Sequence, residues 1–221
     1  MITSIQKSRI TYICKLLLIS IFIFLLGSNL FAQSRASIWS GVNRSSFGGN
    51  PPEDGSYESI YGLSFGGNLE FDITSEASIS LEPSFEQKGS KIVFGDEESF
   101  RDTVRSYYIQ QNYFGLGVLF KINTERFFVG GGLSFQLLNS AQLEFESSVT
   151  DIKDKFVNYD IVSFFNVGYK IPIGAPAIFI ELRYMQGLVN INDSGNQNIE
   201  TYIANFKSTG LKLSTGIMFP L

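Results

Sequence analysis

Three observations predict an all-β fold. Apolar and polar side chains alternate with a period of two, eight such segments follow one another, and the connections between them sort strictly into long and short. Together they describe an eight-stranded antiparallel up-and-down transmembrane β-barrel of the outer-membrane type, because such barrels carry long loops at one end and tight turns at the other. A soluble barrel has no reason to segregate its loops in this way.

The chain of 221 residues opens with Lys7, Arg9 and Lys15 ahead of an 11-residue apolar run, Leu16–Leu26, and continues to Leu30-Phe31-Ala32. A basic start, an apolar run too short to span a bilayer and a small residue at its end are the signature of a secretory signal peptide. Residues 1–32 are therefore expected to be removed, leaving residues 33–221 as the barrel. The single cysteine, Cys14, lies before the apolar run, so the exported part has no thiol to form a disulfide or act as a nucleophile. Three of the 17 Lys and Arg leave with the signal and none of the 21 Asp and Glu, which takes the net charge from −4 to −7. A nucleic-acid partner is excluded on that balance. Histidine is absent altogether, which removes the commonest general base and the commonest metal ligand. No cofactor and no enzymatic activity are expected.

Tyr61, Leu63, Phe65, Leu69, Phe71 and Ile73 interleave with Gly62, Ser64, Asn68, Glu70 and Asp72. The same alternation carries Ile79, Leu81, Pro83 and Phe85, then Ile178, Ile180, Leu182 and Tyr184, and at the C-terminus Leu211, Leu213, Thr215, Ile217 and Phe219. Further strands are expected near 35–46, 107–122, 126–139 and 158–171. The connections near 47–58, 92–105, 142–157 and 191–204 are long and polar. Those at Thr74-Ser75-Glu76, Asn123-Thr124-Glu125 and Pro172–Pro176 are short. The acidic residues Asp96, Glu97, Glu98 and Asp193 lie in long loops without the spacing of a calcium loop and read as solvated. Gly115, Gly117 and Gly130–Gly132 lie inside strands without a phosphate-loop lysine and read as sites of backbone crowding. Pro83, in mid-strand, predicts a bulge or local opening.

In hydrocarbon every backbone polar group must pair internally, so the sheet closes and its apolar face looks outward. A lipid-facing Lys or Arg at mid-depth costs about 2–4 kcal/mol, so the charged residues inside strands are expected to point inward, and Trp39 shares their parity. Tyr61, Tyr107, Tyr108, Phe127, Tyr159, Tyr169 and Phe219 are expected at the interfacial girdles. Folding the second and third strands about residue 75 places Glu70 beside Glu82 with Arg35 opposite Glu70; folding the last two about residue 197 places Glu181 across from Lys212. Two inward charge clusters follow: Arg35 with Glu70 and Glu82, and Glu181 with Arg183 and Lys212. Mixed signs inside so small a barrel predict a filled interior rather than a pore.

The succession "GLSFGGNLEFDIT", "SISLEPSFEQKGSKI", "FFVGGGLSFQLL", "IFIELRYMQGLVNI" and "LKLSTGIMFPL" resembles the PorT family of outer-membrane β-barrel domain proteins, over essentially the whole exported chain. The resemblance implies an eight-stranded barrel with no catalytic residues to carry over, and a link to protein export through a dedicated secretion system. The expected partners are outer-membrane lipid, the barrel-assembly machinery during biogenesis, and an envelope or secretion protein met through the long surface loops. The competing readings are a small pore or passive transporter, a lipid hydrolase or acyltransferase working without histidine, and a soluble lipocalin-like carrier whose apolar face lines a ligand cavity.

Overall fold

The computed structural model describes residues 34–52, 54–94, 105–146, 148–192 and 206–221. The expected signal peptide and the loop acids Asp96, Glu97, Glu98 and Asp193 lie outside the described residues. Among the described residues nine strands form: β1 (Ser34–Gly49), β2 (Gly55–Asp72), β3 (Ala77–Phe94), β4 (Arg105–Asn123), β5 (Phe127–Phe145), β6 (Ser148–Asp151), β7 (Tyr159–Pro172), β8 (Ala177–Gly187) and β9 (Phe206–Pro220). All except β6 join antiparallel in the ring β1–β2–β3–β4–β5–β7–β8–β9, which β1 and β9 close from Arg35↔Pro220 to Gly49↔Phe206. Closure leaves this wall without a free edge in the hydrocarbon layer.

Short turns join the strands at one end. Ile73 and Thr74 donate their N–H groups to the Ala77 carbonyl, Thr124 donates to Phe127, and Ile173 donates to Pro176 across Gly174, whose φ is +110°. At the other end the strands run farther than their apolar alternation. The connection expected at 142–157 instead holds the end of β5, a hairpin return through β6 and one 3-10 turn at Lys153–Lys155. Cross-strand pairing overrides the polar composition there.

Outward residues make an apolar belt, with Leu63, Phe65, Leu116, Val118, Leu133, Phe165, Ile180 and Leu213 all exposed. On β4 the belt runs from Phe114 to Ile122, about 20 Å along the barrel axis at 3.3 Å per residue and a tilt near 40°, close to the roughly 25 Å height of a membrane-barrel belt. The charged side chains at this depth have the inward parity. Tyr61, Phe127, Tyr159 and Phe219 are exposed at its rims, Tyr169 lies edge-on to Phe127, and Tyr108, expected with them, is exposed higher on the wall, six residues beyond Phe114. Tyr107 departs from expectation. It follows the inward parity of Ile109 and Gln111 and stacks on Phe145 at 4.5 Å, because β4 continues inward-outward alternation above the belt.

The ladder between β2 and β3 keeps its register past Pro83, with paired residues passing from Gly66↔Ser84 to Leu69↔Leu81; the register shift lies higher, between Ser59 and Ser64. The missing proline donor thus opens the ladder locally without adding a residue. Crowding explains the glycine run on β5. A Cβ on Gly132 would sit 2.1 Å from the Val118 carbonyl oxygen, whereas on Gly131 the nearest such atom is the Phe164 oxygen at 3.4 Å. Gly132→Ala is therefore expected to lower the folded fraction, read as the heat-modifiable band on SDS gels, while Gly131→Ala leaves it near wild type; equal behaviour of the two would refute the steric reading.

Candidate functional site

The lumen is filled in layers. Nearest the short turns, Arg35 donates to Glu70 at 2.6 Å and to Asp72. Glu70 also accepts from Lys121 Nζ at 2.8 Å, Ser78 Oγ at 2.9 Å and Asn123 Nδ2 at 3.3 Å. Above it Trp39, Phe128, Phe179 and Met218 pack together. The central layer is held by Arg183, whose two terminal nitrogens grip both oxygens of Glu82, Nη2 to Oε2 at 2.8 Å, while its Nε donates to Glu181 at 2.8 Å. Asn166 donates to the second Glu181 oxygen at 2.6 Å, and the guanidinium lies 4.4 Å from the Phe164 ring. Lys212 donates to Glu86 at 2.9 Å and stands 4.0 Å over Trp39.

Higher still, Lys88 donates to Gln136 at 2.6 Å and Asp160 at 3.0 Å, with the Tyr113 ring 4.4 Å away. An apolar cap of Phe47, Ile109, Leu138, Phe156, Ile191 and Phe206 closes the mouth. Phe156 and Ile191 come from the long connections, tied by the Val157 N–H to the Ile191 carbonyl and the Ile191 N–H to that of Phe206. The void between Trp39, Asn68, Glu82, Arg183 and Met218 measures about 10 Å³, room for one water at most.

The two expected clusters exchange members. Arg35 does face Glu70 in register, but Glu82 leaves that group for Arg183 and Glu181, and Lys212 leaves Glu181 for Glu86. Both hairpins sit two residues from the expected pairing. Glu70 is opposite Ser80, and Lys212 is opposite Arg183. Two cations side by side on β8 and β9 must each find an anion elsewhere, and β3 supplies both across the lumen. The acids Glu70 and Glu82, separately engaged by cations, do not form a carboxylate dyad. Lys88, Lys121 and Asp160 also belong to these layers. Sequence reasoning passed over these three, although inward parity marks each of them as a lumen charge.

Above the belt the wall is uneven. β4 continues for about 23 Å beyond Phe114, at the same rise and tilt, and β2, β3 and β5 rise with it. β8 has 11 residues and stays low. The outer face of the raised wall holds a groove of about 470 Å³ lined by Glu58, Tyr61, Lys91, Tyr108, Gln110, Gln142, Glu144 and Val149. Lys91 donates to Glu58 at 3.0 Å and lies 5.6 Å from the Tyr108 ring.

A closed ring with an uncharged lipid-facing belt and a charge-paired lumen defines a transmembrane β-barrel. The chain belongs to the outer membrane protein beta-barrel domain family, whose model matches residues 31–193, and the protein resides in the outer membrane. Among solved structures, Neisserial surface protein A (NspA) is similar with a TM-score of 0.46 and 11% identity, covering 84% of this chain and 97% of that one. Ail of Yersinia pestis, in complex with the heparin analogue sucrose octasulfate, has a TM-score of 0.43 and 14% identity, covering 85% and 99%. OprG from Pseudomonas aeruginosa has a TM-score of 0.40 and 11% identity, covering 85% and 96%. No curated protein matches the sequence.

Proposed function

We propose that this barrel is a non-enzymatic outer-membrane protein that acts by holding a binding surface above the membrane, not by conducting solute. The observation that carries this reading is the lumen itself, occupied from the Arg35–Glu70 layer to the apolar cap by ion-paired and packed side chains. A rigid closed scaffold with a raised wall is suited to presenting a surface, since loops and rims carry specificity on such scaffolds. The strand-pattern resemblance to the PorT family supports a more particular role, contact with an envelope or secretion protein during export.

Reconstituted into planar bilayers, the protein is expected to give no unitary conductance steps, because the Arg183 and Lys88 layers cannot part without exposing buried charges. Reproducible steps of one size would overturn the reading in favour of a pore. The secretion role is tested by deleting the gene and measuring export of secreted proteins: a loss restored by the wild-type chain supports it, and undiminished export rejects it.

A further inference from the structure

Strand register lines up one row across the outer face of the raised wall: Glu58 on β2 pairs with Lys91 on β3, Lys91 with Tyr108 on β4, Tyr108 with Glu144 on β5, and Glu144 with Val149 on β6. The row below it pairs Gln110 with Gln142. Register shifts between Ser59 and Ser64 and between Asn112 and Tyr113 lie at this level. Bulges bend and twist a sheet locally, so a wall that is straight in the belt curves into a concavity here. The result is the 470 Å³ groove, within the usual range for small-molecule sites.

The groove's chemistry narrows its occupant. Lys91 is neutralised by Glu58, and Glu144 is exposed, so the site offers no unopposed positive charge to a phosphate or sulfate. Among the described residues no group of three metal-ligating side chains occurs, so a bridging cation is not called for. Exposed in the groove are two tyrosine rings, Tyr61 and Tyr108, two planar amides, Gln110 and Gln142, the carboxylates of Glu58 and Glu144, the Ser59 hydroxyl and the Val149 side chain. Flat rings with polar tips accept the C–H face of a pyranose, and amides and carboxylates meet its hydroxyls with paired donors and acceptors. That is the complement of an uncharged saccharide.

Position decides the source. The lining residues have the outward parity; Tyr61 stands two residues above Leu63 of the belt, while Gln110 and Tyr108 lie about 10 and 15 Å beyond Phe114 on β4 at the same rise and tilt, so the groove starts near the headgroups and rises to the level that the sugars of an outer-leaflet glycolipid reach. A sugar tethered there by its own acyl chains is present at high effective concentration, and a weak contact suffices to hold it. We propose that this groove binds the saccharide headgroup of an outer-leaflet glycolipid. The proposal rests on the reading of the raised wall as a binding surface and names one ligand for it.

The test uses the full exported chain in nanodiscs of phosphatidylethanolamine mixed with either lipopolysaccharide that carries its outer sugars or lipopolysaccharide truncated to lipid A, which keeps the glucosamine disaccharide, the phosphates and the acyl chains and lacks only the sugars that reach the groove. The glycolipid retained per protein after exchange into detergent is then measured. Wild type is expected to retain the sugar-bearing form at least about five-fold better, and Tyr61→Ser with Gln142→Ala to lose that preference while remaining heat-modifiable. Equal retention of the two lipids by wild type overturns the proposal without recourse to any variant. So does an unchanged preference in a folded double variant. Bilayer conductance and export are separate readouts, so failure of this ligand is distinguishable from failure of the proposed function.

Discussion

Arg183→Leu is expected to lower unfolding stability by about 3–5 kcal/mol, the loss typical when one partner of a buried ion pair is removed. The side chain is 4% exposed and engages two carboxylates, Glu82 and Glu181, that are almost as deeply buried. Leucine would leave both anions facing each other in the lumen with Asn166 as the remaining hydrogen-bond donor to Glu181. Urea titration in detergent micelles, followed by tryptophan fluorescence from Trp39 in the adjoining packing layer, reads the change directly. Adding Glu82→Gln and Glu181→Gln to the same chain should recover much of the loss, since neutral amides no longer repel one another. An Arg183→Leu midpoint indistinguishable from wild type would show that the layer is not ion-paired in the membrane.

The second large effect lies on the opposite face of the wall. Val118 is exposed at the middle of the belt on β4, flanked in register by Leu81 and Leu133. Val118→Arg should cost about 2–4 kcal/mol, since the guanidinium must be dehydrated or must drag water and headgroups into the hydrocarbon. Asn139→Arg, outward on β5 beyond the belt, should cost about 0–1 kcal/mol by the depth dependence of the same term. The comparison is made by unfolding from lipid vesicles. Equal costs at the two depths would contradict the outward assignment of the apolar face and revive a barrel whose apolar residues line a cavity.

Period-two alternation made the two faces legible before any coordinates. A strand has only two sides, lipid refuses charge on one of them, and so Glu70, Glu82, Glu181, Arg183 and Lys212 had a single permitted direction. The same rule reaches Lys88, Lys121 and Asp160. It does not say which charge meets which. Glu82 and Arg183 are 101 residues apart in the chain, and Glu86 and Lys212 are 126 apart. A hairpin register can slip by two residues without turning any side chain to the wrong face, so parity survives an error that exchanges every partner. The short strand β6 and the inward Tyr107 were hidden for a related reason. Above the belt both faces meet water or polar groups, and the alternation that marks a strand within lipid fades there.

Fold class, the direction of each side chain within the belt and the sorting of long loops from short turns were thus determined by sequence alone, because the hydrocarbon layer acts on each strand locally and with one sign. The partners of the buried charges, the closure of the mouth by Phe156 and Ile191, and the row from Glu58 to Val149 were decided only by tertiary structure. Each depends on the register and stagger of strands distant in the chain, and those are set by the joint packing of the whole ring.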